Sequence, residues 1–161
     1  MLKSKITRRW LRNSFGVIVA IILIIEIVGG IAVKRYYYNQ VTKTLVNSAE
    51  SVATSLQQLS RDSSVDFNDH VSGFVTEFSD KDKMELMIIG ENGETKITSS
   101  GFIPAEKAMP DYIAAMDNPN FTGSAVGSLD KDQRVMLVSR LVPVPDEPGI
   151  AAIRLATSLT D

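Results

Sequence analysis

The side chains that most often do chemistry are scarce in this chain of 161 residues, which has one histidine and no cysteine. His70 stands in Asn68-Asp69-His70-Val71-Ser72, with no acid directly after it and no proline before Pro104. One histidine without cysteine makes no metal-ligand set. Nor does any nucleophile elbow, phosphate-binding loop or zinc-ligand spacing occur. His70 therefore reads as a surface or partly buried structural residue. The chain itself is expected not to be an enzyme and to hold no cofactor or metal.

What remains is the chemistry of charge. Arg140 and Arg154 fall in the middle of two strand-like segments joined through Pro145-Asp146-Glu147-Pro148-Gly149. If Val142 faces Ala152, the two guanidinium groups oppose each other on one side of the ladder. Like charges directly opposite are destabilising unless an anion lies between them. Two sources of that anion stay open: Glu85 on a neighbouring strand, or the carboxylate of a bound ligand. A ligand pocket is expected between the sheet and the segment from Gly101 to Phe121. Phe102, Tyr112 and Phe121 would form its walls, and Arg140 or Arg154 would be its anion-binding donor. Bidentate guanidinium–carboxylate geometry suits a small organic acid or an amino acid. Asp62, Asp66, Asp69, Asp80, Asp82 and Glu85 form an acidic run, but Lys81 and Lys83 interleave it, so it reads as a solvated face.

The most unusual charge is Glu26, the one ionisable residue in an apolar run from Phe15 to Val33. Those nineteen residues form a helix of roughly 28 Å, close to the hydrocarbon thickness of a bilayer. A carboxyl at that depth either faces protein or reaches for the interface. Gly16, Ala20, Glu26 and Gly30 lie along one side of such a helix, where small residues would let a second helix approach and give the carboxyl a partner. A cleaved signal is the competing reading, but the apolar run is too long and the residues after Gly30-Ile31-Ala32 make a poor cleavage context.

Five basic residues and no acid precede the run, whereas Lys34, Arg35 and Lys43 are the first basic residues after it. From Tyr36 onward there are ten Lys/Arg against eighteen Asp/Glu, a balance of −8. The positive-inside rule then places the N-terminus in the cytoplasm and residues 36–161 outside it. Trp10 and the Tyr36-Tyr37-Tyr38 triplet suit the two headgroup belts. The expected organisation is a cytoplasmic basic tail over 1–14, a transmembrane helix over 15–35 and an extracytoplasmic domain over 36–161. The membrane is the expected partner on this reading, and nucleic acid is an implausible one for so acidic a domain. With no disulfides, that domain must fold on apolar packing alone.

Leu45, Ala49, Val52, Leu56 and Leu59 are spaced 4, 3, 4 and 3, the stripe of a helix that packs on a domain or on a copy of itself. Arg61-Asp62-Ser63-Ser64 breaks the stripe, and Val71, Phe74, Val75 and Phe78 mark a second, shorter helix. Strand periodicity follows in Met84–Gly90 and Glu94–Ser99, which flank the hairpin signal Asn92-Gly93. A short helix over 110–116 starts at Pro110. Phe121–Leu129, Arg134–Val144 and Ile150–Leu159 complete five strands, separated by turn-rich segments.

This order of elements resembles the extracytoplasmic PAS-like sensor domains of bacterial receptors, the Cache or PDC type. The stretches Ile6-Thr7-Arg8-Arg9-Trp10-Leu11, Asn13-Ser14-Phe15-Gly16 and Lys34-Arg35-Tyr36-Tyr37-Tyr38-Asn39 resemble the start of membrane sensor histidine kinases of Gram-positive bacteria. The resemblance implies an α+β fold. A transmembrane helix would continue into a long juxtamembrane helix packed on a five-stranded antiparallel sheet of order 2-1-5-4-3. It also implies a homodimer that senses a stimulus, such as a small anionic ligand, for a two-component system. A second membrane helix, a HAMP linker and a kinase core would follow, so this chain is expected to be the N-terminal part of such a protein. A chemoreceptor, a cyclic-dinucleotide enzyme, or an anchored binding or structural protein without an output domain remain alternatives.

Overall fold

The structure is a computed structural model that describes residues 3–60, 67–104, 109–130, 133–142 and 150–159. Helix α1 spans Lys3–Leu59, and two compact units divide the chain between Gln40 and Val41. No proline interrupts α1, and its paired Gly29-Gly30 lies inside the apolar run, where the strong helix formers around it prevail.

In the first unit, every side chain from Phe15 to Val33 is exposed. From Trp10 the helix is long and apolar enough to cross a membrane, the one such helix among the described residues. An uncovered apolar surface of this extent suits lipid rather than water. Just past it, Lys34 Nζ lies 5.6 Å from the centroid of the Tyr38 ring, and Tyr37 and Tyr38 tilt against each other at 6.1 Å.

The second unit is built on one sheet. Its strands are β1 (Glu85–Ile89), β2 (Thr95–Thr98), β3 (Thr122–Asp130), β4 (Gln133–Leu141) and β5 (Ala152–Ser158). All pairs are antiparallel, in the order β2-β1-β5-β4-β3. This is the expected order, with the last strand central beside the first. β5 is buried on both faces from Ala152 to Ala156, which explains its nearly continuous apolar sequence. Pro143 and Val144, the expected end of the fourth strand, lie outside the described residues.

Helices cover both faces of this sheet. On one, the α1 stripe of Leu45, Ala49, Val52 and Leu56 is buried, as expected, and Ala53 is buried with it. The added position widens the stripe beyond a coiled-coil seam and fits a helix lying on a sheet. Thr42 Oγ1 meets Met136 Sδ at 3.5 Å, which fixes that end of α1 over β4. Helix α2 (Phe67–Thr76) buries Val71 and Val75. It stops before Phe78, whose N–H instead donates to Val75 O in a turn. On the opposite face, α3 (Pro110–Asp117) covers a core of Met87, Ile89, Met109, Val135, Leu137, Ala152 and Ala156. Each large side chain buried in these two layers contributes about 1.5–3 kcal/mol.

The β1–β2 hairpin forms where Asn92-Gly93 marks it, but through a longer turn. Gly93 N–H donates to Gly90 O at 2.9 Å and Gly90 N–H to Glu94 O at 2.8 Å. Only Gly93 takes a positive φ, +73°, so Glu91 and Asn92 make an ordinary turn and Gly93 supplies the left-handed residue that closes it.

Candidate functional site

Arg154 sits in the centre of β5, fully buried. Its Nε donates to Asp111 Oδ2 at 2.8 Å and its Nη2 to Asp111 Oδ1 at 2.7 Å. Asp111 is equally buried, and Ser139 Oγ on β4 donates to its Oδ2 at 2.6 Å. This bidentate pair satisfies both carboxylate oxygens, which is what makes a buried charge tolerable. The elements deliver these groups for local reasons. Pro110 fits the first turn of α3 and leaves Asp111 in that turn, with no side-chain cap spent on the helix end. Ser139 is opposite Arg154 in the β4–β5 ladder, so both point to the α3 face. Gly123 lets α3 settle onto β3, because a Cβ there would land on Asp111 O and Ala115 N.

The observed register corrects the expected meeting of the two arginines. Leu141, not Val142, faces Ala152, which sets Ser139 against Arg154 and Arg140 against Ile153. A one-residue offset turns a side chain to the other face, so the arginines lie on opposite sides of the sheet. The anion beside Arg154 is neither Glu85 nor a ligand but Asp111. Glu85 Oε1 accepts the Ser100 N–H at 2.9 Å.

Arg140 occupies the α1 side. Its Nη1 donates to Thr122 Oγ1 at 3.1 Å, and Nη2 lies 3.6 Å from Glu50 Oε1 on α1. The pair borders an open groove of about 480 Å³ lined by Val46, Glu50, Asn118, Asn120, Thr122 and Arg140, among others. Glu50 is largely solvated, so its hold on Arg140 is weak. An anion could displace it with little loss. Arg154, sealed under α3, has no such access.

The three aromatic residues do not gather round either arginine. Phe102 is 57% exposed and borders a separate cavity of about 230 Å³ with Met87, Val135 and Thr157. Tyr112 packs on the α3-side core. Phe121 is 54% exposed and carries a φ of +54° at the entrance to β3, a conformation rare for a non-glycine residue. In the first unit, Gly16, Ala20, Glu26 and Gly30 are all exposed, and beyond the adjoining helix backbone no described atom lies within 4 Å of a Cβ built on either glycine. His70 is half-buried in α2, and Asp80 of the acidic run pairs with Lys83 at 3.2 Å on the surface. Asp62 and Asp66 lie outside the described residues.

Sequence reasoning missed Asp111, Ser139 and Glu50. Asp111 looked like an ordinary acid in a helix first turn. A signal for Ser139 was present: it is a hydroxyl in the apolar run Val135-Met136-Leu137-Val138, and buried hydroxyls need partners. No protein-family model matches the chain, and no curated protein matches it significantly.

Proposed function

We propose that this chain is the signal-sensing input module of a two-component sensor histidine kinase, carrying an extracytoplasmic stimulus across the membrane. The observation behind this reading is α1. One helix, Lys3–Leu59, holds both the membrane-length apolar run and the stripe that seats on the sheet. Anything that alters how the sheet holds Leu45–Leu56 acts on a segment of the same helix as the membrane run. The 2-1-5-4-3 strand order supports the same reading. With the basic N-terminus in the cytoplasm, the sheet faces outward. A stimulus acts by binding one seating of α1 better than another, since equal affinity for both would shift nothing.

The coding sequence beyond Asp161 tests the output. A second membrane helix, a HAMP linker and a histidine kinase core are expected there; a methylated signalling region or a cyclase would overturn the kinase reading.

The stimulus site in this reading is the Arg140 groove, and the stimulus a small carboxylate that takes the place of Glu50. Thermal unfolding of the full chain in lipid nanodiscs, with acetate, succinate and glycine as probes, measures this. At one hundred times its Kd a ligand stabilises by about 2.7 kcal/mol. The shift should vanish in Arg140→Ala, and a shift that survives that substitution takes the arginine out of the site.

A further inference from the structure

Ser99-Ser100-Gly101-Phe102-Ile103-Pro104 sets two large apolar side chains next to each other in a loop. Neither is buried: Phe102 is 57% exposed and Ile103 56%. The loop is nevertheless firmly tied. Ser99 N–H donates to Leu86 O at 2.8 Å, Ser100 N–H to Glu85 Oε1 at 2.9 Å and Phe102 N–H to Ser100 Oγ at 3.1 Å. Gly101 supplies the positive φ, +78°, that turns the chain after β2. The second unit therefore holds an apolar pair in place without covering it.

The position of the pair in the sheet points to what covers it. α1 meets β4 twice, at Thr42 with Met136 and at Glu50 with Arg140. Eight helical residues rise about 12 Å and four strand residues about 13 Å, so α1 runs along β4 in the same direction. The end of the sheet where β4 begins is thus the end at which α1 enters this unit. Antiparallel pairing brings the start of β1 and the ends of β2 and β5 to that end, with Glu85 opposite Ala156, Thr98 opposite Met87 and Ser158 opposite Val135. The loop after β2 lies there too, since Phe102 and Pro104 line the cavity of about 230 Å³ with Lys83, Val135 and Thr157. Val41 follows Val33, the last residue of the apolar run, by eight residues. They span about 12 Å as helix and at most roughly 29 Å in any conformation. However the second unit turns, its Val41 end is tethered that close to the apolar run.

We infer that Phe102 and Ile103 insert into the headgroup–acyl boundary of the bilayer that α1 crosses, a second attachment of this chain to lipid. Three observations favour lipid as the occupant. The pair lies at the tethered end. Two side chains fall far short of the roughly 800 Å² per partner that a stable protein interface buries, whereas a lipid boundary takes up a few apolar groups at a time. Charge at this end is also balanced: among its described side chains, Lys81, Lys83 and Arg134 offset Asp80, Asp82 and Glu85. The pair then meets no net repulsion from zwitterionic or anionic headgroups. This inference rests on α1 crossing a membrane, not on the sensor reading.

Trp10 is the one tryptophan, so Trp10→Phe gives a silent background. In it, the full chain carrying Phe102→Trp is reconstituted in phosphatidylcholine vesicles with and without bromine on the acyl chains near the headgroup. Bromine should lower the emission at least twofold, and equally when phosphatidylglycerol is added. Phe121→Trp is the control, because Phe121 is 54% exposed but sits at the other end of the sheet, where its carbonyl accepts the Leu141 N–H; it should be unquenched. Adding Ile103→Asp should remove the quenching of Phe102→Trp and leave thermal unfolding unchanged. Should Phe102→Trp fail to fold, Ile103→Trp carries the same measurement, with Phe102→Asp as the added change. Leu23→Trp, inside the apolar run, tests the membrane reading by itself. Quenching there but not at Phe102→Trp overturns this inference alone, and quenching at neither overturns both. Quenching no stronger than at Phe121→Trp, quenching that survives Ile103→Asp, or a blue-shifted emission without quenching, the mark of a protein cover, each overturn the inference as well.

Discussion

At the scale of single residues, the second unit turns on one buried ion pair. Arg154 and Asp111 are both fully buried and share two hydrogen bonds, with Ser139 adding a third on the carboxylate. The charges have no water to fall back on, so removing one strands the other. Asp111→Ala should destabilise the second unit by about 3–5 kcal/mol, and Ser139→Ala by about 1 kcal/mol. Replacing both charges together, Asp111→Leu with Arg154→Met, should recover most of the loss, since an apolar pair needs no compensation. Urea unfolding of the full chain in nanodiscs measures all three; an Asp111→Ala variant of wild-type stability would show the pair to be dispensable. Arg140 shows the opposite regime. Its partner Glu50 is solvated, so the same pairing chemistry contributes little there and leaves the guanidinium open to exchange.

At the scale of elements, α3 is positioned as much by an absence as by a contact. Its backbone lies on β3 where Gly123 has no side chain, and a Cβ there would also come 2.7 Å from Ala114 C. The obstacle is backbone and cannot rotate away. Gly123→Ala should lift α3, loosen Asp111 from Arg154 and cost upward of about 1–3 kcal/mol, the usual range for overpacking. Gly73 in α2 provides the contrast, because nothing lies within 4 Å of its built Cβ and it has an ordinary helical conformation. Gly73→Ala should be neutral or stabilise by up to about 1 kcal/mol. Thermal unfolding of the two variants compares them directly, and equal melting temperatures would remove Gly123 from the account. The elements themselves were well marked. The 4-3-4 stripe of α1, Pro110 at the start of α3 and Asn92-Gly93 in the hairpin each act through neighbours a few residues away. Where the reading slipped, the cause was also local. Phe78 continues the apolar spacing of α2, yet the helix ends at Thr76 and leaves it in a turn.

At the scale of the whole molecule, the sequence by itself determined the membrane-length apolar helix, the five strands, their separation by turns and the α+β class. It did so because hydrophobic period, turn residues and chain length are properties of contiguous segments. The strand order could be proposed by likeness, and the central place of β5 was legible in its apolar run. Tertiary structure alone decided the rest. Register between β4 and β5 depends on the path of a connection that local pattern leaves free by one residue, and that residue decides which face each arginine takes. The partner of Arg154 lies 43 positions away, on a helix whose first-turn acid looks the same in sequence whether it caps the helix or crosses to a sheet. Long-range pairing is chosen by how buried charges can be satisfied together, and no single segment carries that information.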